Sequence, residues 1–359
     1  MPALSTPYAP RYMAPPTTEE NLDYADLAVI DISKAQDAQG RAELTRQVSK
    51  AMETHSFSYV VNHGYTTTQV LRSNLPQFCL VTLNFGISTE RMFDIADVAF
   101  SGVDVDEKRV YTAKMKEEGT YQGYKPTKYW HIDNGVRDQV EQYNINRDVT
   151  KRPHPEALRP FLGEIEAVAR HTHFNILHPV LRLLALGLEL PEDALVNLHG
   201  FSSVGETHDI GTITVLYSQP VSALQILRRD GKWKWIKHIE NAAVVNVGDA
   251  LEFISGGYYR GTIHRVVQPP AGQQNYPRLG LFYFTMTDDN VKLVPLTESP
   301  VLQRVGIVRR YDDADAPTME AWRRSRTSAY GQSELKAASG SEGKVEEEVV
   351  GGVLVKHYN

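Results

Sequence analysis

The spacing of hydrophobic and polar positions predicts alternating strands and helices in the first third of the chain. Residues 26–33 alternate as a strand does, residues 41–55 place apolar side chains at helical spacing, and residues 57–64 return to a β pattern that ends at Gly64. This order predicts a strand, a helix and a second strand. Residues 91–100 have the spacing of another amphipathic helix.

The middle and the end of the chain have different patterns. Residues 121–149 are aromatic and polar without a sustained period, which is typical of a long loop that lines a pocket. From Pro155 onwards, apolar residues recur at threes and fours over many turns, so we expect a long helix packed on a sheet. The segment that begins at Ser333 is charged and poor in aromatic residues, which predicts a mobile tail.

Residues 211–287 contain seven short β-like segments, including residues 251–255, separated by clusters of Gly, Pro, Asp and Asn. Short strands at such regular spacing are typical of a sandwich or jelly roll. We therefore predict a mainly β protein with flanking helices, a jelly-roll core and an α/β N-terminal region. The predicted parts are a disordered arm at 1–22, an N-terminal region at 23–150, a helical region at 151–200, the catalytic core at 201–300, and a C-terminal helix with a mobile tail at 301–359.

Composition and charge exclude several classes of function. Hydrophobic residues make up 42% and charged residues 23% of the chain, the proportions of an ordinary globular protein. The net charge is -6 and the basic residues are scattered, which argues against nucleic-acid binding. Cys79 is the only cysteine, so cysteine-based metal sites are excluded and a reducing compartment is favoured. Because no apolar run has the length of a signal peptide or membrane span, we predict a cytoplasmic protein without a membrane partner.

Candidate metal chemistry is concentrated in the β-rich half. The His208-Asp209 pair is followed by His264 in the segment IHRVV, and by Arg278 about a dozen residues further on. Non-haem Fe(II) oxygenases hold iron with two histidines and one carboxylate, and they leave the remaining positions open. These residues together predict such a site.

The segments AVIDIS, FSYVVNHG, DIGTITVLY, IHRVV and RLGLFYF, in this order and spacing, resemble the isopenicillin N synthase-like branch of the 2-oxoglutarate-dependent oxygenases, especially its fungal members. The resemblance covers most of the chain and implies a double-stranded β-helix that uses Fe(II), 2-oxoglutarate and O2. It implies that Asp209 and His264 are iron ligands and that Arg278 pairs with the far carboxylate of 2-oxoglutarate. The implied activity is oxidation of a small organic molecule in fungal secondary metabolism, with hydroxylation as the default and desaturation or ring closure as variants.

The first iron ligand departs from the family pattern, which is H-x-D. Thr207 stands two residues before Asp209, where the pattern has histidine, and His208 is adjacent to the aspartate. Neighbouring strand residues point to opposite faces, so either a bulge turns His208 towards the metal or the site has lost one ligand. His131 and Asp133 have literal H-x-D spacing but lack the strand context, and we interpret them as loop residues.

Three further departures concern the cosubstrate and the gene model. Residues 70–90 look like an insertion, and the segment that usually supplies a cosubstrate-binding tyrosine is missing before Thr207. An extra and a missing segment in one chain raise the hypothesis of an imperfect gene model. Gly280 stands where many members have serine. Tyr217 or Tyr283 is predicted either to supply the lost hydroxyl or to be an aromatic residue of the core.

Two alternatives to a 2-oxoglutarate-dependent oxygenase follow from these departures. The first is a catalytically silent jelly-roll protein that binds a small ligand but no iron. The second is an oxidase of the same fold that takes all four electrons from its own substrate. All three hypotheses predict a small-molecule ligand, and none of them fixes the oligomeric state.

Overall fold

The computed structural model describes residues 6–65, 88–133, 136–201, 211–329, 336–337, 345–350 and 352–358. The strands are β1 Val29–Asp31, β2 Phe57–Val61, β3 Gly123–Lys125, β4 His131–Asp133, β5 Val136–Arg137, β6 Gln142–Asn144, β7 Ile213–Tyr217, β8 Leu224–Leu227, β9 Trp233–Trp235, β10 Ala243–Val247, β11 His264–Val266, β12 Leu281–Phe284, β13 Lys336–Ala337, β14 Val345–Val350 and β15 Val353–Tyr358. The helices are α1 Ala38–Thr54, α2 Thr89–Ser101, α3 Val105–Val110, α4 Met115–Glu118, α5 Leu162–His171, α6 His178–Gly187, α7 Asp249–Ile254, α8 Pro300–Val305 and α9 Met319–Ala329.

The N-terminal strand, helix and strand form as the sequence predicts. β1 and β2 pair in parallel, with Ile30 opposite Val60, and α1 connects them. Asp37 caps α1 because its carboxylate accepts the backbone N–H of Gly40 at 2.8 Å. α2 covers the predicted second helix and is capped by Ser88.

Two sheets make up the β core. The larger has the strand order β1-β2-β10-β7-β12, and the smaller has the order β11-β8-β9. Apart from the parallel β1–β2 pair, neighbouring strands in both sheets are antiparallel. The predicted mainly β core with flanking helices is confirmed, and its two facing sheets are those of a jelly roll.

The two faces of the larger sheet bury different partners, because successive strand residues point to opposite sides. One face carries Val215 and Val245 and packs on Leu44 of α1 and Leu184 of α6, in the largest hydrophobic cluster. The opposite face packs against the smaller sheet. This arrangement fixes which side chains of β7, β10 and β12 can reach the space between the sheets.

A long helical segment follows Pro155, as predicted, although it is not uniformly α-helical. Residues 156–161 form a 3₁₀ turn, α5 follows, Thr172–Leu177 form a π-helical stretch, and α6 completes the segment. The π-helical stretch places Thr172 and His173 on the larger sheet, where both are fully buried.

Several predictions require correction. Residues 251–255, predicted as a strand, lie largely within helix α7, where Ala250, Leu251, Phe253 and Ile254 are buried at helical spacing. Residues 121–149, predicted as a loop, include two short ladders, β3–β6 and β4–β5. The C-terminal tail contains β13, β14 and β15 in an antiparallel sheet.

The described part of the N-terminal arm is extended and in contact with the rest of the protein. The backbone N–H of Tyr12 donates to Asp94, and Gln273 donates to the carbonyl of Pro16. Residues 6–22 therefore differ from the disordered arm that was predicted at 1–22. Of the predicted insertion at 70–90, residues 70–87 lie outside the described residues. Among the helices that are described, none is long and apolar enough to cross a membrane.

Candidate active site

The space between the two sheets is the candidate site, and we call it the barrel interior. It is bounded by Tyr59, Leu216 and Val244 of the larger sheet and by Leu224 and Ile226 of the smaller one. These side chains form a hydrophobic cluster that is separate from the one beneath the helices. A polar side chain that points into this space is therefore conspicuous.

His264 points into the barrel interior. On β11 it pairs with Ile226, whose side chain faces inward, and its ring packs edge-on against Phe57 with centroids 5.4 Å apart. Its Nδ1–H donates to the carbonyl oxygen of Thr262 at 2.9 Å. This bond leaves the lone pair on Nε2 and fixes the ring orientation, which is the usual arrangement of a metal-ligating histidine.

Arg278 is the second polar group of the interior. Its Nε is buried without a hydrogen-bond partner among the described residues, although the residue as a whole is half-buried. Burial lowers the pKa of Arg278 to about 10, because no neighbouring charge compensates for the lost water. A buried guanidinium nitrogen without an acceptor is unfavourable, so this residue is suited to an anionic ligand.

Arg278 lines a small cavity together with Leu216, Ser218, His238 and Val244. The cavity measures about 20 Å³, roughly the space that one ordered water needs. Its wall therefore combines a cation with hydroxyl and imidazole groups. Ser218 and His238 were not predicted from the sequence. Ser218 lies two residues after Leu216 and therefore on the same face of the extended chain.

The strand register places His264 and Arg278 at different levels of the barrel interior. His264 packs on Phe57, which lies opposite Asn246, whereas Arg278 lines the cavity beside Val244, two residues away on the same strand. Two strand residues advance by about 6.8 Å. An elongated ligand with an anionic end can therefore reach from the level of His264 to that of Arg278.

The other predicted metal ligands precede β7 in the chain. His208, Asp209 and Thr207 lie outside the described residues, so their roles remain predictions. Within the described part of the chain, no group of three His, Cys, Asp or Glu side chains could hold a metal ion. His131 and Asp133 lie on β4, which forms a two-stranded sheet with β5. The pairing register of this sheet shifts between the two residues.

Tyr217 and Tyr283 point away from the barrel interior. Tyr217 lies opposite Leu281 and Tyr283 opposite Val215, on the face that packs against the helices. The hydroxyl of Tyr217 lies 2.7 Å from Oγ1 of Thr172. The hydroxyl of Tyr283 donates to Nδ1 of His173 at 2.9 Å, and burial lowers the pKa of this histidine to about 3. Their contacts support docking of the helices on the sheet, and Tyr217 also lines the cavity beside Arg278. Their predicted role in cosubstrate binding remains a prediction.

We expect Tyr217→Phe to lower the free energy of unfolding by about 1 kcal/mol, because it removes one buried hydrogen bond. The affinity for 2-oxoglutarate should stay unchanged. Chemical denaturation with Thr172→Val and the double variant would measure the coupling between the two hydroxyls. A tenfold loss of 2-oxoglutarate affinity in Tyr217→Phe would restore the predicted cosubstrate role.

Comparisons with known proteins agree with this geometry. Residues 191–287 match the sequence profile of the 2OG-Fe(II) oxygenase superfamily. The 2-oxoglutarate-dependent dioxygenase frbH of Dothideomycetidae sp. is 28% identical over 77% of this chain and 86% of its own length. Scopoletin 8-hydroxylase of Arabidopsis thaliana is 25% identical over 78% of this chain and 75% of its own length. The comparisons support the 2OG-Fe(II) oxygenase superfamily.

A solved structure confirms the fold. A full-length protein of Neurospora crassa, determined in complex with alpha-KG, superimposes with a TM-score of 0.63 at 18% identity and covers 86% of this chain and 99% of its own. The 2OG-Fe(II) oxygenase superfamily uses Fe(II), 2-oxoglutarate and O2, as the resemblance implied. The described residues fit these groups: His264 presents a correctly oriented imidazole, and the orphaned Nε of Arg278 suits a carboxylate.

Proposed function

We propose that this protein is an Fe(II)- and 2-oxoglutarate-dependent oxygenase that acts on a small organic molecule in fungal secondary metabolism, within the isopenicillin N synthase-like branch. The observation that carries the proposal is Nε of Arg278, which is buried without a hydrogen-bond partner while the side chain lines a cavity between the sheets. A hydrophobic core does not retain such a group for stability, because burying a charge without a partner is unfavourable.

In this proposal Asp209 and His264 bind iron, and His208 completes the triad through a local irregularity in the chain. When bound, iron would activate O2 with two electrons from the decarboxylation of 2-oxoglutarate, and this would supply the oxidising power for an unactivated C–H bond. The protein's own contribution is to orient His264 through Thr262 and to hold the far carboxylate at Arg278. The apolar walls at Leu216 and Ile226 exclude water between the two ends.

Relatives support a small-molecule substrate. The name of the Arabidopsis relative indicates hydroxylation of scopoletin, and the fungal relative is named a 2-oxoglutarate-dependent dioxygenase. We propose hydroxylation as the default reaction, with desaturation or ring closure where the substrate is held differently. We also propose a cytoplasmic location, without nucleic-acid or membrane partners.

Anaerobic titration with Fe(II) and 2-oxoglutarate tests the proposal. We expect a weak visible charge-transfer band at one-to-one stoichiometry, and we expect His264→Ala to reduce iron affinity by more than about 100-fold. His178→Ala is the matched control, since this histidine lies on α6 and its buried Nε2 has no hydrogen-bond partner. It should bind iron as the wild type does.

The outcomes separate the alternatives. Absence of iron binding would indicate a catalytically silent jelly-roll protein. Iron binding without the 2-oxoglutarate band would indicate an oxidase that draws all its electrons from the substrate. Formation of succinate from 2-oxoglutarate in air would argue against that oxidase and for the proposed oxygenase.

A further inference from the structure

The second residue after Arg278, immediately before β12, carries no side chain. Gly280 lies two residues after Arg278, and therefore on the same face of an extended chain. A Cβ placed on Gly280 would lie 2.6 Å from Cε2 of Phe282, so the aromatic ring already covers this position. Phe282 stacks in turn on Phe284, with centroids 5.5 Å apart. β12 can thus provide no hydroxyl beside Arg278 without displacing Phe282.

The neighbouring strand provides a hydroxyl instead. Tyr217 pairs with Leu281, and extension of this register places Ser218 directly opposite Gly280. Directly opposed residues have their β-carbons about 5 Å apart, so a side chain on one strand can occupy space that a glycine leaves on the other. Ser218 lines the same cavity as Arg278.

The hydrogen bonds of Ser218 prepare its hydroxyl for a third partner. Its Oγ lies 2.8 Å from Nδ1 of His238 and accepts the backbone N–H of Ile239 at 3.2 Å. A hydroxyl has two acceptor sites and one proton to donate. When His238 carries its proton on Nδ1, both acceptor sites of Ser218 are filled, and the hydroxyl proton is directed to another acceptor.

We propose that Ser218, oriented by His238, binds the far carboxylate of 2-oxoglutarate beside Arg278 and takes the place of the side chain that Gly280 lacks. The inference rests on the proposed function. Arg278 supplies the charge and the paired N–H groups, and Ser218 donates its proton to a remaining carboxylate lone pair. His238 is a positioning residue that acts through Ser218.

The test compares two ligands that differ only at the far end. 2-Oxoglutarate has the second carboxylate, and 2-oxopentanoate lacks it but keeps the metal-chelating end. Both are titrated into the Fe(II) protein without O2. We expect Ser218→Ala to reduce the affinity for 2-oxoglutarate about tenfold, because the substitution removes a hydrogen bond to a charged group. 2-Oxopentanoate should bind as it does to the wild type.

Two further variants separate binding from folding. Ser218→Thr retains the hydroxyl and should restore most of the 2-oxoglutarate affinity. Ser58→Ala is the matched control, since Ser58 is 1% exposed and lies opposite Val245 on the face towards the helices. It should bind both ligands as the wild type does.

Different results overturn different claims. If the wild type binds neither ligand, the proposed function fails, and this inference fails with it. If the wild type binds 2-oxoglutarate and Ser218→Ala binds it equally well, only the role of Ser218 is overturned. An equal loss for both ligands in Ser218→Ala would show a general distortion of the pocket and would also overturn it.

Discussion

Arg278→Leu is expected to reduce the affinity for 2-oxoglutarate more than 100-fold while leaving the protein at least as stable as the wild type. A bidentate, charge-assisted pair with a carboxylate is worth about 3 kcal/mol, which corresponds to a loss of more than about 100-fold. Removing a guanidinium whose buried Nε lacks a partner also removes the desolvation cost of that group. The lowered pKa of Arg278 already reflects that cost. Calorimetry with 2-oxoglutarate and a thermal melt measure the two effects.

Arg304→Leu is the control for the loss of one positive charge. Arg304 is exposed and pairs with Glu189 at the surface, so its replacement should leave 2-oxoglutarate binding unchanged. Arg278→Lys keeps the charge but not the planar pair of donors, and we expect an intermediate affinity. A large fall in the melting temperature of Arg278→Leu would instead mean that Arg278 stabilises the fold, and this would contradict the binding role.

The sequence alone predicted the jelly roll and the flanking helices, because turn residues separate the short strands so regularly. It failed at residues 251–255. A five-residue segment with three apolar residues fits a buried strand as well as a buried helix. Only the burial of Ala250 and Leu251 together with Phe253 and Ile254 reveals the helical period. The short ladders at 121–149 were missed for a related reason, since two- and three-residue strands carry too little pattern to detect.

The candidate site was predicted in part. His264 and Arg278 were identified, and the structure brings both to the barrel interior. Tyr217 and Tyr283 were chosen for their hydroxyls, but alternation along a strand assigns them to the face opposite Leu216. The packing of whole layers decides whether the odd- or the even-numbered residues of a strand face the interior. No single segment of the sequence contains that information. Ser218 was missed because its significance lies in its cross-strand neighbour, Gly280.

The second large effect concerns a buried ion pair in the region that was predicted as a loop. Nζ of Lys125 lies 2.6 Å from Asp138, and their side chains are 0% and 3% exposed. The ammonium also lies 4.2 Å from the centre of the Trp130 ring. Burial lowers the pKa of Lys125 even beside this carboxylate, since the desolvation cost exceeds the attraction. The pair therefore holds β3 against the segment after β5 without contributing much net stability.

Lys125→Met should lower the free energy of unfolding by about 3 kcal/mol, because Asp138 then stays buried without its cation. The backbone N–H groups of Trp130 and Val140 still donate to that carboxylate, which keeps the loss from being larger. Denaturant unfolding measures the change.

Arg109→Met is the matched control for Lys125→Met. Its pair with Asp106 has side chains 74% and 88% exposed, so its loss should cost less than about 0.5 kcal/mol. The double variant Lys125→Met with Asp138→Leu should recover most of the stability, since it removes both buried charges together. If the double variant were as unstable as Lys125→Met alone, the loss would come from the packing of Lys125 against Trp130, and the charge argument would be wrong.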